Sequence, residues 1–287
     1  MKHRRLEVMP RIEYVVICYG PSKAYHYGAK YQILKNWKSY YSRHGSSICV
    51  VTDKPDLFRD YPVRICEITQ LDKRNWSLNG LQHFGIKLRG LLKATQTSDK
   101  DFIFLLDTDA FWIRDPSSLT TKVTKSSAVM YCDEGKVRNT SNKSINQFNI
   151  GLKNKRFNVA GFEYQLGAAA RMLNSRAIGI TKDNTHILDL SFHLFSTLES
   201  HVNAHTVEQF SLGEAFRLKH FKVSFCKSFI RDWSSTGKKE YASVILNDFF
   251  SGRDSQRFQD DLIDFKTLQI SRPFSVWLNQ KLRKIKP

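Results

Sequence analysis

The chain is poor in acid. Its 287 residues set only 27 Asp and Glu against 45 Lys and Arg, a formal net charge of +18. An imbalance of that size says little about fold and much about partners, which should be anionic: nucleic acid, a sugar nucleotide or an acidic membrane surface. Long apolar runs are missing as well. Nothing approaches the roughly 20 apolar residues that span a bilayer, and Met1-Lys2-His3-Arg4-Arg5 leads only into a short apolar stretch broken by Arg11 and Glu13, from which we expect neither a span nor a signal peptide. Cysteine is scarce: Cys18, Cys49, Cys66, Cys132 and Cys226 are widely spaced, odd in number and without a Cys-X-X-Cys pair. That argues against a disulfide framework and a zinc site, and suits a reducing, cytoplasmic compartment, in which the sequons at Asn75, Asn139 and Asn142 are chance matches. The first half carries no Gly-X-Gly-X-X-Gly fingerprint, so a dinucleotide cofactor has no support. No recognised nucleic-acid motif occurs either, and nucleic acid drops out of the expected partners.

What is present suffices for a core: 41% of the residues are hydrophobic, enough at this length for one large α/β domain. The strongest local signal is Phe102-Ile103-Phe104-Leu105-Leu106, an apolar run without a polar break, which reads as a strand buried on both faces of a parallel sheet. Asp107-Thr108-Asp109 follows at once. Ligands of open α/β sheets gather at the carboxyl ends of strands. In an extended segment residues i and i+2 share a side, so both carboxylates can face one divalent cation, which takes oxygen ligands and keeps other positions for water or phosphate. The plain alternative is a turn that uses Asp for backbone reasons. A solvent turn would become polar, whereas this one runs into Ala110-Phe111-Trp112 before closing at Arg114-Asp115-Pro116.

Elsewhere, residues 12–19 read as the first strand, ended by Gly20-Pro21; 24–41 show helical spacing; 47–53 and 63–68 read as further strands, so that the chain opens with a βαβ unit. Residues 85–94 predict a helix carrying Lys87 and Arg89, and 136–144 have the composition of a loop or lid. Residues 157–173 predict a strand and a small-residue turn leading into a helix, with Gly167 permitting close approach of a ligand or of another helix. Residues 207–216 predict a helix with Glu208 at its entry, where the dipole favours a carboxylate with or without chemistry. Gly237-Lys238-Lys239, next to a helix start, reads as an anion site. From Arg272 to Lys286 the tail interleaves Phe274, Trp277, Leu278, Leu282 and Ile285 with five cations; an interfacial helix on anionic lipid and an ordinary basic terminal helix both account for it.

The block from Phe102 to Asp109 resembles the signature of GT-A fold glycosyltransferases, in which a hydrophobic strand ends in an Asp-X-Asp that binds Mn²⁺ or Mg²⁺ and the diphosphate of a nucleotide-sugar. The resemblance implies a single GT-A-like α/β domain over 1–287, with a mostly parallel central sheet flanked by helices. Residues 11–115 would be a nucleotide-binding half, 116–250 an acceptor half and 251–287 a basic helical tail. It implies transfer of a sugar, most simply from a uridine diphosphate sugar, to a hydroxyl of a glycan or glycolipid, on the inner face of a membrane if the tail anchors there. Asp107 and Asp109 would hold the metal, with Asp232 standing where similar bacterial enzymes place a His ligand. Tyr19, Gly20 and Thr108 would lie at the nucleotide. Lys87 or Arg89, with Gly237, Lys238 and Lys239, would meet the phosphates. Glu163, Gln165, Gly167 and Ala168 would line the donor-sugar pocket, and Glu208, with Glu214 as the spare, would face the reacting centre. A metal-dependent nucleotidyltransferase and a non-catalytic basic protein binding an anionic polymer are the rival readings.

Overall fold

The unbroken apolar runs become the inner strands of the sheet. The computed structural model describes residues 10–283 apart from His44 and Ser255. Its strands are β1 (Ile12–Cys18), β2 (Ser47–Thr52), β3 (Arg64–Glu67), β4 (Phe102–Leu106), β5 (Ala110–Trp112), β6 (Ser127–Lys136), β7 (Arg156–Val159), β8 (Phe162–Gln165), β9 (Arg171–Thr181), β10 (Lys222–Phe225) and β11 (Ile230–Asp232). Its helices are α1 (Lys23–Asn36), α2 (Gln70–Trp76), α3 (Gly85–Gln96), α4 (Lys143–Leu152), α5 (Thr185–Leu198), α6 (Val207–Leu218), α7 (Thr236–Phe250), α8 (Phe258–Asp264) and α9 (Phe274–Arg283). A seven-stranded sheet runs β10-β6-β9-β4-β1-β2-β3. Every pairing in it is parallel except those of β9, which is antiparallel to both β4 and β6. The protein is thus an α/β fold with a large, mostly parallel mixed sheet flanked by helices.

Alternation sorts the inner strands between two cores. Val15, Ile103 and Leu105 join the cluster built with α3, α5 and α6, while Tyr14, Val16, Phe104 and Leu106 join the one built with α1 and α7. Both faces are covered, which is why these strands read as continuous apolar runs rather than alternating ones. Packing is close: a Cβ on Gly179 of β9 would come within 2.5 Å of the Phe104 ring. One buried polar group interrupts β1. Glu13 is 1% exposed and is matched by the Arg64 guanidinium at 2.5 and 3.0 Å and by Ser47 at 3.2 Å, which meets the cost of burying a charge.

Two local expectations need correction, while the loop expected over 136–144 is found at 137–142, between β6 and α4. Residues 107–109 are not extended: the Ala110 amide donates to the Asp107 carbonyl at 3.2 Å and closes a turn, after which β5 departs to pair with β11 outside the main sheet. The segment after Gly167 is not a helix. Residues 157–165 belong to the β7–β8 hairpin, and the alanines lead into β9, whose backbone groups are taken up by ladders on both sides; pairing outweighs the weak helical preference of three alanines. The polar stretch 136–144 ends inside α4, whose first turn is capped by the Asn142 side chain accepting from the amides of Ser144 and Ile145 at 3.0 and 3.3 Å.

Much of 251–287 is part of the domain rather than an appended tail. Phe258 and Ile270 are buried, and the Phe258 ring stands edge-on to Trp37 and Tyr61, each at 5.1 Å. Lys284, Ile285 and Lys286, which carry part of the expected basic character, lie outside the described residues. Among the described residues no helix is long and apolar enough to cross a membrane.

Candidate active site

The strand order places a topological switch beside the two aspartates. From β1 the chain adds β2 and β3 on one side, then returns to add β4 on the other. In open α/β sheets ligands bind in the crevice at the carboxyl ends of the strands flanking such a reversal. Asp107 follows β4 directly and Tyr19-Gly20 follow β1 directly.

One stripe of α1 positions the turn. Residues four apart share a helix face, and Gly28, Gln32 and Asn36 do so here. Gly28 lies so close to the Thr108 carbonyl that a Cβ would collide with it. The Gln32 amide donates to the carbonyls of Asp107 at 3.3 Å and Ala110 at 3.1 Å. Asn36 donates to the Trp112 carbonyl at 2.9 Å and accepts from its amide at 3.1 Å, acting as a strand neighbour to β5. The Asp107–Asp109 turn is therefore held from behind, with its carboxylates left to the front.

In front stand cations from three distant elements. Lys87 Nζ is 2.7 Å from Asp107 and 3.7 Å from Glu208, and donates to Ser175 Oγ at 3.1 Å. Ser175 in turn donates to Glu208 Oε1 at 2.6 Å. Arg176 faces Asp109 at 3.8 Å and Asp232 at 3.5 Å, its guanidinium 4.8 Å from the Tyr131 ring centre. Lys239 reaches Asp109 at 3.3 Å. Burial pushes the Asp107 carboxyl up, Lys87 pulls it down, and the neighbouring Asp109 and Glu208 charges push it up again, to about 6. Lys87 is buried too, which lowers its affinity for a proton, but Asp107 and Glu208 more than offset this and hold it firmly charged.

A divalent cation fits between the aspartates on two grounds. Asp109 Oδ1 is buried and accepts no hydrogen bond, and the Arg176 Nε opposite it donates none; buried polar atoms left unpaired are costly. A carboxyl raised to about 6 by burial first and by its acidic neighbours second gains from further positive charge. Among the described residues no three His, Cys, Asp or Glu side chains form a ready-made cage, so substrate oxygens and water would complete the shell, as divalent magnesium-type sites commonly allow.

No protein-family model and no curated protein matches the chain.

Lys87 reaches the site and Arg89 does not. Two residues along a helix is more than half a turn, and Arg89 pairs instead with Asp189 at 2.9 Å and lies over Phe192. Tyr19 donates to the His83 carbonyl at 2.8 Å, close enough to Glu208 and Asp107 for their charges to join burial in raising its hydroxyl. Gly20, at φ +89°, gives its amide to Asp53 at 3.1 Å; Asp53 is also held by Lys73 at 2.5 Å. Lys239 faces Asp109, Lys238 is exposed, and Gly237 lies in the first turn of α7, where a Cβ would strike Arg272.

Asp232 arrives through the β5–β11 pairing, opposite Ala110, but it is not free to serve as a third ligand. Oδ1 accepts from the Ser234 amide and hydroxyl at 3.2 and 2.7 Å, and Oδ2 accepts from Tyr131 at 2.9 Å while facing Arg176. Glu208 belongs to the cluster, yet at 4% exposure it lies behind Lys87 and Ser175 rather than open to a reacting sugar. Glu163 pairs with Arg156 on the β7–β8 hairpin, Gln165 is exposed at its end, and Gly167, followed by Ala168, packs on the Arg217 guanidinium. With Ala177 opposite Leu106, even Arg171 stands six residues up β9 from the aspartates, roughly 20 Å at the rise of a strand. These positions do not line the site.

Glu214 is a buried structural group. It accepts from Tyr164 at 2.9 Å and from Arg217 at 2.7 and 2.8 Å. Breaking such a pair strands a charge, and with Arg217 30% exposed the cost falls at the lower end of the range for buried pairs. Glu214→Gln should lose about 3 kcal/mol of stability in a urea titration. Unchanged stability would contradict this placement.

Sequence reading missed Ser175 and Arg176. They occupy an irregularity in β9: Met130 pairs with Ile178 but Cys132 with Asn174, so Tyr131 alone faces Ala177, Arg176 and Ser175. Bulges of this kind re-aim side chains beside active sites. The segment is fixed by the Ser175 amide donating to Gln209 at 3.3 Å, and by Gln209 and Asn174 both donating to Glu134, at 2.8 and 2.7 Å. The neighbouring Glu208-Gln209 pair was the available signal.

Proposed function

We propose that the protein is a divalent-metal-dependent glycosyltransferase that moves a sugar from a nucleotide-sugar, most simply a uridine diphosphate sugar, to a glycan or glycolipid hydroxyl, within a GT-A-like fold. The observation that carries this reading is the buried Asp109 Oδ1, without a hydrogen bond, beside Asp107 at the switch point, with three cations around the two carboxylates. Asp107 and Asp109 would hold Mn²⁺ or Mg²⁺, which when bound supplies Lewis-acid stabilisation of the departing diphosphate.

The chain's own groups do the rest. As the bond from the anomeric carbon to the phosphate oxygen breaks, its electron pair and a negative charge stay on the diphosphate; Lys87, Arg176 and Lys239 supply the positive charge of that region before the bond breaks. Preorganised charge of this kind costs no reorganisation during reaction. The acceptor hydroxyl oxygen forms the new bond to the anomeric carbon, and its proton passes to the departing diphosphate, which has gained the electron pair. Glu208 acts through Lys87 and Ser175, orienting both. Tyr19 and the Gly20 loop, tied down by Asp53, flank the place of the nucleotide.

Specific ligands of the native state raise its melting temperature by mass action. Uridine diphosphate sugars with Mn²⁺ should raise it, and the same sugars with a chelator should not. A shift given only by nucleoside triphosphates would favour nucleotidyl transfer instead.

The C-terminal helix is proposed to rest on anionic lipid. Phe274 is 72% and Leu278 41% exposed, on a segment whose sequence adds Lys281, Arg283, Lys284 and Lys286. Arg272 supports the first turn of α7, which carries Lys239, through Gly237 and Gln280, so truncation before it would confound the test. Phe274→Ser combined with Leu278→Ser should cut sedimentation with anionic liposomes about tenfold while leaving activity on a soluble acceptor intact; equal sedimentation would exclude the anchor.

A further inference from the structure

We infer that Arg176 competes with the metal for Asp109 and turns to the diphosphate on loading, so that metal and diphosphate bind as a unit rather than separately. This rests on the metal-dependent reading above. The site brings together four carboxylates, Asp107, Asp109, Asp232 and Glu208, and three cations, Lys87, Arg176 and Lys239. One negative charge remains uncompensated. A divalent cation alone would turn this into one positive charge beside the Asp109 and Arg176 side chains, each only 17% exposed. A diphosphate esterified at both ends, with one charge on each phosphate, would instead leave three negative charges if it entered alone. The two together restore the starting balance.

The geometry around Arg176 supports an exchange. Its distances of 3.8 Å to Asp109 and 3.5 Å to Asp232 are those of ion pairs, and its Nε and Asp109 Oδ1 are both buried without a hydrogen bond. The guanidinium is braced by Tyr131 and by Asp232, which Ser234 fixes in turn. It is therefore poised between the carboxylates without being locked to Asp109. Repulsion from a cation arriving at Asp109, and attraction to the phosphates arriving with it, drive the same movement. Such coupling is reciprocal: whatever Mn²⁺ does for diphosphate affinity, diphosphate does for Mn²⁺ affinity.

Calorimetric titration with Mn²⁺ alone, a uridine diphosphate sugar alone and both together tests this on the full chain. Wild type should bind each alone weakly and the pair strongly. Arg176→Gln should bind Mn²⁺ alone about tenfold more tightly, because the competitor is gone, and the pair about tenfold more weakly, because the diphosphate has lost a partner; coupling energies of this order are ordinary. A merely structural arginine would not strengthen metal binding on removal. Arg176→Lys, which keeps the charge but cannot span two carboxylates, should fall between and serves if the Gln variant folds poorly. Bare Mn²⁺ affinity that is unchanged or weaker in both variants, with metal-dependent diphosphate binding in wild type, overturns the inference alone. Wild-type diphosphate binding indifferent to Mn²⁺ overturns it together with the metal site.

Discussion

Asp109→Asn should abolish transfer, by about 10³-fold or more in turnover, while the melting temperature stays within about 2 °C of wild type. The loss follows from the loading of the site. Asp109 offers the buried oxygen without a donor, and an amide there weakens the hold on a cation whose charge supplies several kcal/mol at the transition state. The stability argument is separate. What fixes the turn is backbone: the Asp109 carbonyl accepts from the Trp233 amide at 3.0 Å, and Ala110 closes onto Asp107. Asparagine keeps both and removes little packing, and a fraction of a kcal/mol moves a domain of this size by no more than about 2 °C. Turnover and melting on one preparation check both halves; an active Asp109→Asn protein would sink the metal assignment.

Lys87→Met should lower turnover by about 10²–10³, the usual scale for removing one preorganised charge-stabilising group. Lys87 touches Asp107, Glu208 and Ser175 at once, so its removal also sets loose the arrangement through which Glu208 acts. Methionine keeps most of the length of a side chain that is only 12% exposed. The effect should appear in turnover and in binding of the diphosphate product, whereas Arg89→Met, two residues away and directed at Asp189, should leave both near wild type. Equal losses in the two variants would place the helix's role in packing instead.

That contrast shows what was legible in the sequence. The strand into Asp107 was plain because both its faces are buried and its residues declare it, and β1, β2 and α3 were readable for the same reason. Lys87 and Arg89 were both candidates, and helical spacing could say only that they point apart. Glu208 and Glu214 share one helix, and burial alone does not separate a carboxylate beneath a substrate site from one neutralised by Arg217 and Tyr164. β9 was misread because three alanines suggest a helix locally while the ladders that win are contributed by residues far away in the chain. Arg176 was invisible for a related reason: its aim is set by a two-stranded register shift against Tyr131, which no local pattern encodes.

The most direct measurement is release of uridine diphosphate from a panel of uridine diphosphate sugars, with Mn²⁺ and with chelator, by wild type and Asp109→Asn. The account predicts release from at least one sugar by wild type with Mn²⁺, none with chelator and none from the variant. Release that survives both chelation and the substitution would contradict a metal held by Asp107 and Asp109.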